Sequence, residues 1–256
     1  LPPGGPYPVY GFLRPTQNLV NAYKTDVKGL PYNDGKDVSE NDYVDVRLDH
    51  TLARPNIPFM DVQLYDWTPR EASVYGPYSP KKRLVSLNST YYSPIWPYVN
   101  ALNFYVIRYA DLLLWRAEAA IETGDLETGR KYINMIRTRA GMPDIPDSEM
   151  GDVLKEHYRN ERKIELAYEQ HRYFDIRRWM IAPEVIKNVQ GIDIRYPYGV
   201  TEPNYSIIDV QERKWNDKSY LLPIYLDEMQ KKAVQEAAGH GLLILTGGPG
   251  TGKKTT

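Results

Sequence analysis

The sequence predicts a mainly α-helical fold: tetratricopeptide-like helical hairpins carrying long ordered loops, with a small β content. Three observations lead there. Helical apolar periodicity begins at residue 103 and runs to about 180. Two of the helical runs are separated only by Gly124-Asp125, and small residues Ala117 and Ala120 come late in the first, as in a tetratricopeptide hairpin. Residues 1–102, by contrast, are rich in Pro, Gly, Asn, Asp and Tyr and have little helical periodicity. Their interspersed Val, Leu, Ile, Trp and Tyr argue against a polar linker or disorder, so they read as ordered loops packed on the helices.

Taken in order, the loop-rich part offers one short helix candidate, PTQNLVNAYK at 15–24, and turns at Asn33-Asp34-Gly35 and Gly76-Pro77. NFYVIRYADLLLWRAEAAIETGD (103–125) predicts a helix of about five turns, apolar nearly all round and therefore buried on two sides. Its polar residues Arg108, Asp111 and Glu118 share a face with Trp115 at steps of three and four. Gly124-Asp125 ends it, and Asp125 can cap the next helix. That helix, LETGRKYINMIRTRA, stops at Gly141 with Pro143 beyond. A third helical block spans about 148–180, with Arg162, Glu165, Glu169 and Arg172 on one face and Ile164, Leu166, Ala167, Tyr168, Tyr173, Phe174 and Ile176 around it. Loops and short extended pieces follow over 181–220, then YLLPIYLDEMQ at 220–230.

The bulk numbers exclude several classes of function. The 256 residues are enough for one large domain or two small ones. Lys and Arg total 32 against 33 Asp and Glu, so no global field favours nucleic acid or an anionic membrane. There is no cysteine, which removes disulfides, thiolate metal sites, thiol catalysis and iron–sulfur clusters. The four histidines have no i,i+3 or i,i+4 spacing, and no metal or cofactor is expected. No run reaches the roughly 18 apolar residues of a spanning helix. The N-terminal LPPGGPYPVYGF lacks the basic start and apolar run of a signal peptide and reads as a chain entered partway. The unusual count is 22 tyrosines with 5 tryptophans against 4 phenylalanines, a bias toward rings with a polar handle that suit wet binding surfaces.

Several segments together resemble the SusD/RagB family of outer-membrane glycan-binding lipoproteins. NFYVIRYADLLLWRAEA is similar to that family's helix around an IRYAD-LL-AEA core, and INMIRTRAG to a second segment. The most distinctive string, ERKIELAYEQHRYFDIRRW, places the family pattern on Glu161, Arg162, Glu165, Leu166, Glu169, Arg172, Asp175, Arg178 and Trp179. YLLPIYLDEMQ, PTQNLVNAY and VRLDHTLARPNIPF add to the likeness, which covers about residues 1–230. The family's N-terminal half, with its lipidated cysteine, is not in this sequence, so the likeness is to a C-terminal half: a loop-rich aromatic segment at 1–102 and a helical scaffold at 103–230. The resemblance implies a non-enzymatic protein at the outer-membrane cell surface. It implies oligosaccharide (glycan) as ligand and a SusC-type TonB-dependent transporter as partner, with no nucleic acid. A structural module without a sugar site is the main alternative.

Glu161, Glu165 and Glu169 are spaced i, i+4, i+8, and paired carboxylates can hydrolyse glycosides or hold two metals. Here Arg162, Arg172 and Arg178 lie within a few residues, so the expectation is an ionised, neutralised scaffold network with no catalytic residue. Sugar binding falls instead to rings in the loops. Trp67 and Trp96 lead, because each sits beside a proline-bearing turn, followed by Tyr65, Tyr75, Tyr78 and Tyr98.

The end of the chain raises a separate question. LLILTGGPGTGKKTT has Gly247, Gly252 and Lys253 at the positions of a phosphate-binding loop and resembles the start of a RecD-like helicase. The residue after the lysine is Lys254, where a magnesium-binding Ser or Thr is needed, and no helix follows to face the phosphates. The loop is expected to be inactive, part of a foreign tail at 231–256 whose onset lies near 226–231. An NTPase is the remaining alternative.

Overall fold

In the computed structural model the described residues are 15–25, 44–54, 58–59, 63–64, 78–82, 84–86, 88–91, 102–193, 206–221, 231–232 and 235–236. The chain divides into two units, 1–214 and 215–256. In the second, a 3-10 turn at Asp217–Tyr220 brings the Tyr220 ring edge-on to Trp215 at 4.7 Å. The first unit carries the longer helices and the strands.

Its elements in chain order are α1 (Gln17–Asn21), α2 (Arg47–Thr51), β1 (Leu52–Ala53), β2 (Pro58–Phe59), β3 (Gln63–Leu64), β4 (Ser79–Pro80), α3 (Tyr109–Glu122), α4 (Leu126–Arg139), α5 (Gly151–Glu165), α6 (Arg172–Arg178), α7 (Ala182–Val185), β5 (Val189–Asp193) and β6 (Ser206–Gln211). The strands form three antiparallel pairs, β1 with β4, β2 with β3, and β5 with β6. The fold is mainly α with little β, as the periodicity indicates.

The α3–α4 hairpin is built by its end signals. Thr123 closes α3, Gly124 takes φ +84°, and two hydrogen bonds follow: Gly124 N–H to Ile121 O at 3.1 Å and Asp125 N–H to Ala120 O at 2.8 Å. This is a Schellman motif, which satisfies carbonyls left without partners at a helix end. Asp125 then caps α4, its Oδ1 accepting from Thr128 N–H at 3.1 Å. The end of α4 repeats the device, with Gly141 at φ +72° and Met142 N–H donating to Arg137 O at 2.9 Å. A side chain at either glycine would meet the left-handed backbone penalty.

Three expectations need correction. The first helix begins at Tyr109, not 103, because the Arg108 N–H donates to Asp111 Oδ2 (3.2 Å) and fixes the start there. Nor is it buried on two sides. Ala110, Leu113, Leu114, Ala117 and Ile121 enter the core, while Tyr109, Leu112 and Trp115 are exposed. The block expected at 148–180 is two helices. The chain leaves α5 at Leu166 and passes through left-handed Tyr168 (φ 65°) and Gln170 (φ 69°) before α6. Such conformations cost bulky residues free energy and persist only where packing holds them. Here Leu166 lies in one core and Tyr168 packs against another. The C-terminal carbonyl of Glu165 accepts from Lys82 Nζ at 2.7 Å and Arg108 Nη2 at 2.8 Å.

Two apolar cores flank α5. One joins Leu113, Leu114 and Ala117 of α3, Ile133 and Ile136 of α4, and Leu154 and Tyr158 of α5. The other joins Val20, Tyr23, Leu48, Leu52 and Tyr78 with Ile164. Tyr23 Oη donates to Ile164 O at 3.0 Å, and Asn160 Nδ2 donates to Ala22 O at 3.3 Å, pinning the loop-rich part to the helix. Among the described residues no helix is long and apolar enough to cross a membrane.

Candidate functional site

The residues that carry the sequence signature converge on α5 and form a buried ion network. Glu161, fully buried, accepts from Arg47 Nη1, from Arg47 Nη2 at 3.2 Å and from Arg137 Nη1 at 3.3 Å. Glu165 accepts from Arg47 Nη1 (2.9 Å), Arg108 Nη1 (2.7 Å) and Arg139 Nη2 (2.9 Å). Glu169 takes Arg108 Nε at 2.6 Å and Lys82 Nζ at 2.8 Å. Asp45 holds the other side of Arg47 through its Nε (2.9 Å) and Nη2 (2.6 Å). A second hub is Glu118, which accepts from Arg178, from Tyr158 Oη at 2.7 Å and from Trp179 Nε1 at 2.5 Å.

The electrostatics follow from these contacts. Burial pushes the Glu165 carboxyl up, but the Arg108 hydrogen bond and the Arg108 and Arg47 charges outweigh it and hold the group below its ordinary value. For Glu169 burial is likewise overcome by Arg108 and Lys82, and for Glu118 by Arg178, Trp179 and Tyr158. A general acid needs the opposite, a carboxyl that keeps its proton near neutral pH. The network therefore fits a structural role. Its partners differ from those expected, however. Arg162 turns away to Asp175 at 2.7 Å, and Arg178 to Glu118 and Asp175, while Arg172 has no ion pair among the described residues. The cations on Glu161, Glu165 and Glu169 come instead from Arg47, Lys82, Arg108, Arg137 and Arg139, up to 118 residues away.

Asp111, Glu169 and His171 bring potential ligand atoms within 4.8 Å of one another. The set does not fit a metal centre. Both Glu169 oxygens already accept from Arg108 or Lys82, and Asp111 Oδ1 lies 3.3 Å from His171 Nε2 and 3.9 Å from Arg162 Nη1. A bound cation would stand among three basic groups.

Two clefts open beside α5. One, of about 390 Å³, is lined by the network itself: Arg47, Lys82, Arg108, Arg139, Glu165 and Glu169, with His50. The other, of about 630 Å³, is lined among the described residues by Lys24, Lys163, Arg172, Lys187 and Arg213 with one carboxylate, Glu184. Sequence reasoning missed this second cleft, because its charges come from α5, α6 and segments far apart in the chain.

Of the expected sugar-stacking rings, Tyr78 is placed in the second core. It is 6% exposed, and its hydroxyl donates to Gln17 Oε1 at 2.8 Å. A ring with its faces packed cannot stack on a sugar, so Tyr78 leaves the candidate set. Tyr65, Trp67, Tyr75, Trp96 and Tyr98 lie outside the described residues, as do Gly247, Gly252 and Lys253.

The geometry so far defines a helical scaffold protein with a buried ion network on its signature helix. The SusD family model (SusD_RagB) matches residues 2–236, and the chain belongs to the SusD family. Two SusD-like proteins of Formosa agariphila are 30% identical over 106 residues (38% of this chain, 21% of the relative) and 32% identical over 160 residues (58% and 27%). The crystal structure of a SusD-like protein from Bacteroides fragilis superposes with a TM-score of 0.65 at 30% identity, covering 82% of this chain and 43% of that one. The chain thus spans about a quarter of those curated relatives and under half of the solved structure.

Proposed function

We propose that this chain is part of a non-catalytic glycan-binding protein that serves polysaccharide utilisation. It holds oligosaccharide at the bacterial outer-membrane surface and passes it to a SusC-type TonB-dependent transporter. The observation that carries this reading is the SusD family match along residues 2–236. The electrostatics of α5 support the non-catalytic part: Arg108 and Arg47 hold the Glu165 carboxyl below its ordinary value, which suits a rigid scaffold.

Sugar contact is assigned to Trp67 and Trp96, with Tyr65, Tyr75 and Tyr98 as further rings. A stacking ring on a preformed loop binds without much ordering cost. The test is calorimetry against a panel of plant, host and starch oligosaccharides with wild type, Trp67→Ala and Trp96→Ala. The expected result is binding that weakens by about 1–3 kcal/mol on loss of a ring, by analogy with base–aromatic stacking. Binding that survives both substitutions would remove these rings from the site.

One observation favours a second reading, a module that contacts only protein. Tyr109, Leu112 and Trp115 form an exposed stripe on α3, at 67%, 49% and 42% exposure. Exposed apolar stripes at helical spacing suit helix or protein docking. A folded protein that binds no glycan in the panel would favour this reading.

A further inference from the structure

The second cleft holds a charge imbalance that the chain's overall composition does not show. Over the whole chain, basic and acidic residues nearly cancel. Among the described residues, this cleft is lined by the basic side chains of Lys24, Lys163, Arg172, Lys187 and Arg213 and by one carboxylate, Glu184. Glu184, on α7, is exposed. The two cations best placed to matter are Lys163 at the end of α5 and Arg172 at the start of α6, both partly buried.

The nearest other carboxylates are engaged elsewhere. Asp175 accepts from Arg162 Nε at Oδ2 (2.7 Å) and from Arg178 Nε at Oδ1 (3.0 Å). Glu156 pairs with Arg159 at 2.6 Å. Among the described residues neither Lys163 nor Arg172 has an ion pair of its own. The cost shows in their titration. Burial, then the Arg172 charge, pulls the Lys163 ammonium down to about 8, with Glu156 only partly offsetting. Burial also lowers Arg172, with Asp175 and Glu156 pulling it back up and Arg159 adding to the fall. Unlike the network on the opposite side of α5, Lys163 and Arg172 are left short of negative charge among the described residues. Two partly buried cations side by side in a cleft, without ion pairs of their own, are poised to receive an anion from solution.

We propose that this cleft binds the acidic group of a saccharide, a uronate carboxylate or a sulfate ester, between Lys163 and Arg172. The saccharide part rests on the proposed glycan-binding function; the anion part rests on the cleft. Arg172 supplies a planar fork that matches two oxyanion oxygens, and Lys163 a point charge. Lys187 and Arg213 at the rim add attraction that salt would screen. The volume of about 630 Å³ lies in the range of small-ligand sites.

The test compares two oligosaccharides of one backbone, an oligogalacturonate and its carboxyl-reduced neutral form, with a sulfated and desulfated galactan pair beside them. Each is titrated calorimetrically into wild type, Lys163→Met, Arg172→Gln and Trp67→Ala, and melting temperatures are recorded for all four. The expected result is that one acidic form binds at least ten-fold more tightly than its neutral partner, that raised salt narrows the gap, and that Lys163→Met and Arg172→Gln abolish it. Melting should not drop, since each change removes an uncompensated charge. Inorganic sulfate, titrated alone, should bind weakly to wild type and not to Lys163→Met.

Equal affinity for acidic and neutral forms, or a preference that survives both cleft substitutions, would overturn the inference. The glycan-binding reading would then still stand if the neutral forms bind in a Trp67-dependent way. Sulfate binding that disappears in Lys163→Met, in a protein that binds no saccharide of either charge, would retain the anion cleft and sink its assignment to a saccharide.

Discussion

Lys163 and Glu165 stand two residues apart near the end of α5 and live in opposite electrostatic worlds. About 200° of helix separates them, so each faces a different cleft. On the Glu165 side Glu161, Glu165 and Glu169 each meet two or more cations, and Arg47 lies between Asp45, Glu161 and Glu165. On the Lys163 side, cations gather with one exposed carboxylate. The difference teaches how to read buried charge. A buried charge with partners is a fixed part of the scaffold, and losing one partner strands the rest. A buried charge without partners is a standing cost that a ligand can relieve.

The contrast can be broken most sharply by Glu165→Ala. It leaves Arg47, Arg108 and Arg139 facing a hole, and should destabilise the fold by about 3–5 kcal/mol in urea unfolding. A loss under 1 kcal/mol would mean that the network is not a scaffold.

Acid should attack the same side. Glu165, Glu169 and Glu118 have folded values below their ordinary 4.5. The unfolded chain therefore takes up protons first, so their stabilising contribution is present above about pH 5 and is lost as pH falls further. Melting temperature should be flat from pH 7 to 6 and drop steeply below 5. A flat profile down to pH 3 would contradict the network.

At neutral pH the Lys163 side is a cost rather than a gain, and the cost lifts as pH rises. Its folded value of about 8 lies below the ordinary 10.5, so between those values the unfolded chain holds more protons and stability rises with pH. Lys163→Met should raise stability at pH 7 by about 1–2 kcal/mol, a discounted reading of that shift. The gain should shrink as pH approaches 10. Destabilisation at pH 7 would show that the ammonium has a partner.

Smallest is Arg139→Ala. Its side chain is 63% exposed, although it lies 2.9 Å from Glu165. Exposed pairs contribute little, so the loss should be 0–1 kcal/mol in the same unfolding assay. A loss matching Glu165→Ala would mean that exposure is a poor guide here.

Much of the helical scaffold was legible in the chain because its signals are local. Gly124-Asp125 and Gly141 stop and start helices by backbone conformation and one side-chain cap, and these work at a range of a few residues. The break after Glu165 was not legible. ELAYEQHRY continues a helical pattern, and the turn through Tyr168 and Gln170 is imposed by distant groups, with Lys82 and Arg108 on the Glu165 carbonyl. The exposed stripe at Tyr109, Leu112 and Trp115 was misread for a similar reason, since periodicity shows that a face is apolar but not whether anything covers it.

By itself, then, the sequence determined the helical hairpin, the SusD family string and the gathering of the carboxylates Glu161, Glu165 and Glu169 in one short stretch, because caps and periodicity act over one or two turns. Tertiary structure alone decided which cations those carboxylates hold. Arg47 and Arg108 reach Glu165 across 118 and 57 residues, and no local pattern encodes such a meeting. It also decided that Tyr78 is a core ring and that Lys163 and Arg172 are gathered with other cations in one cleft. Burial and long-range charge are properties of the packed chain, set by which segments exclude water from one another.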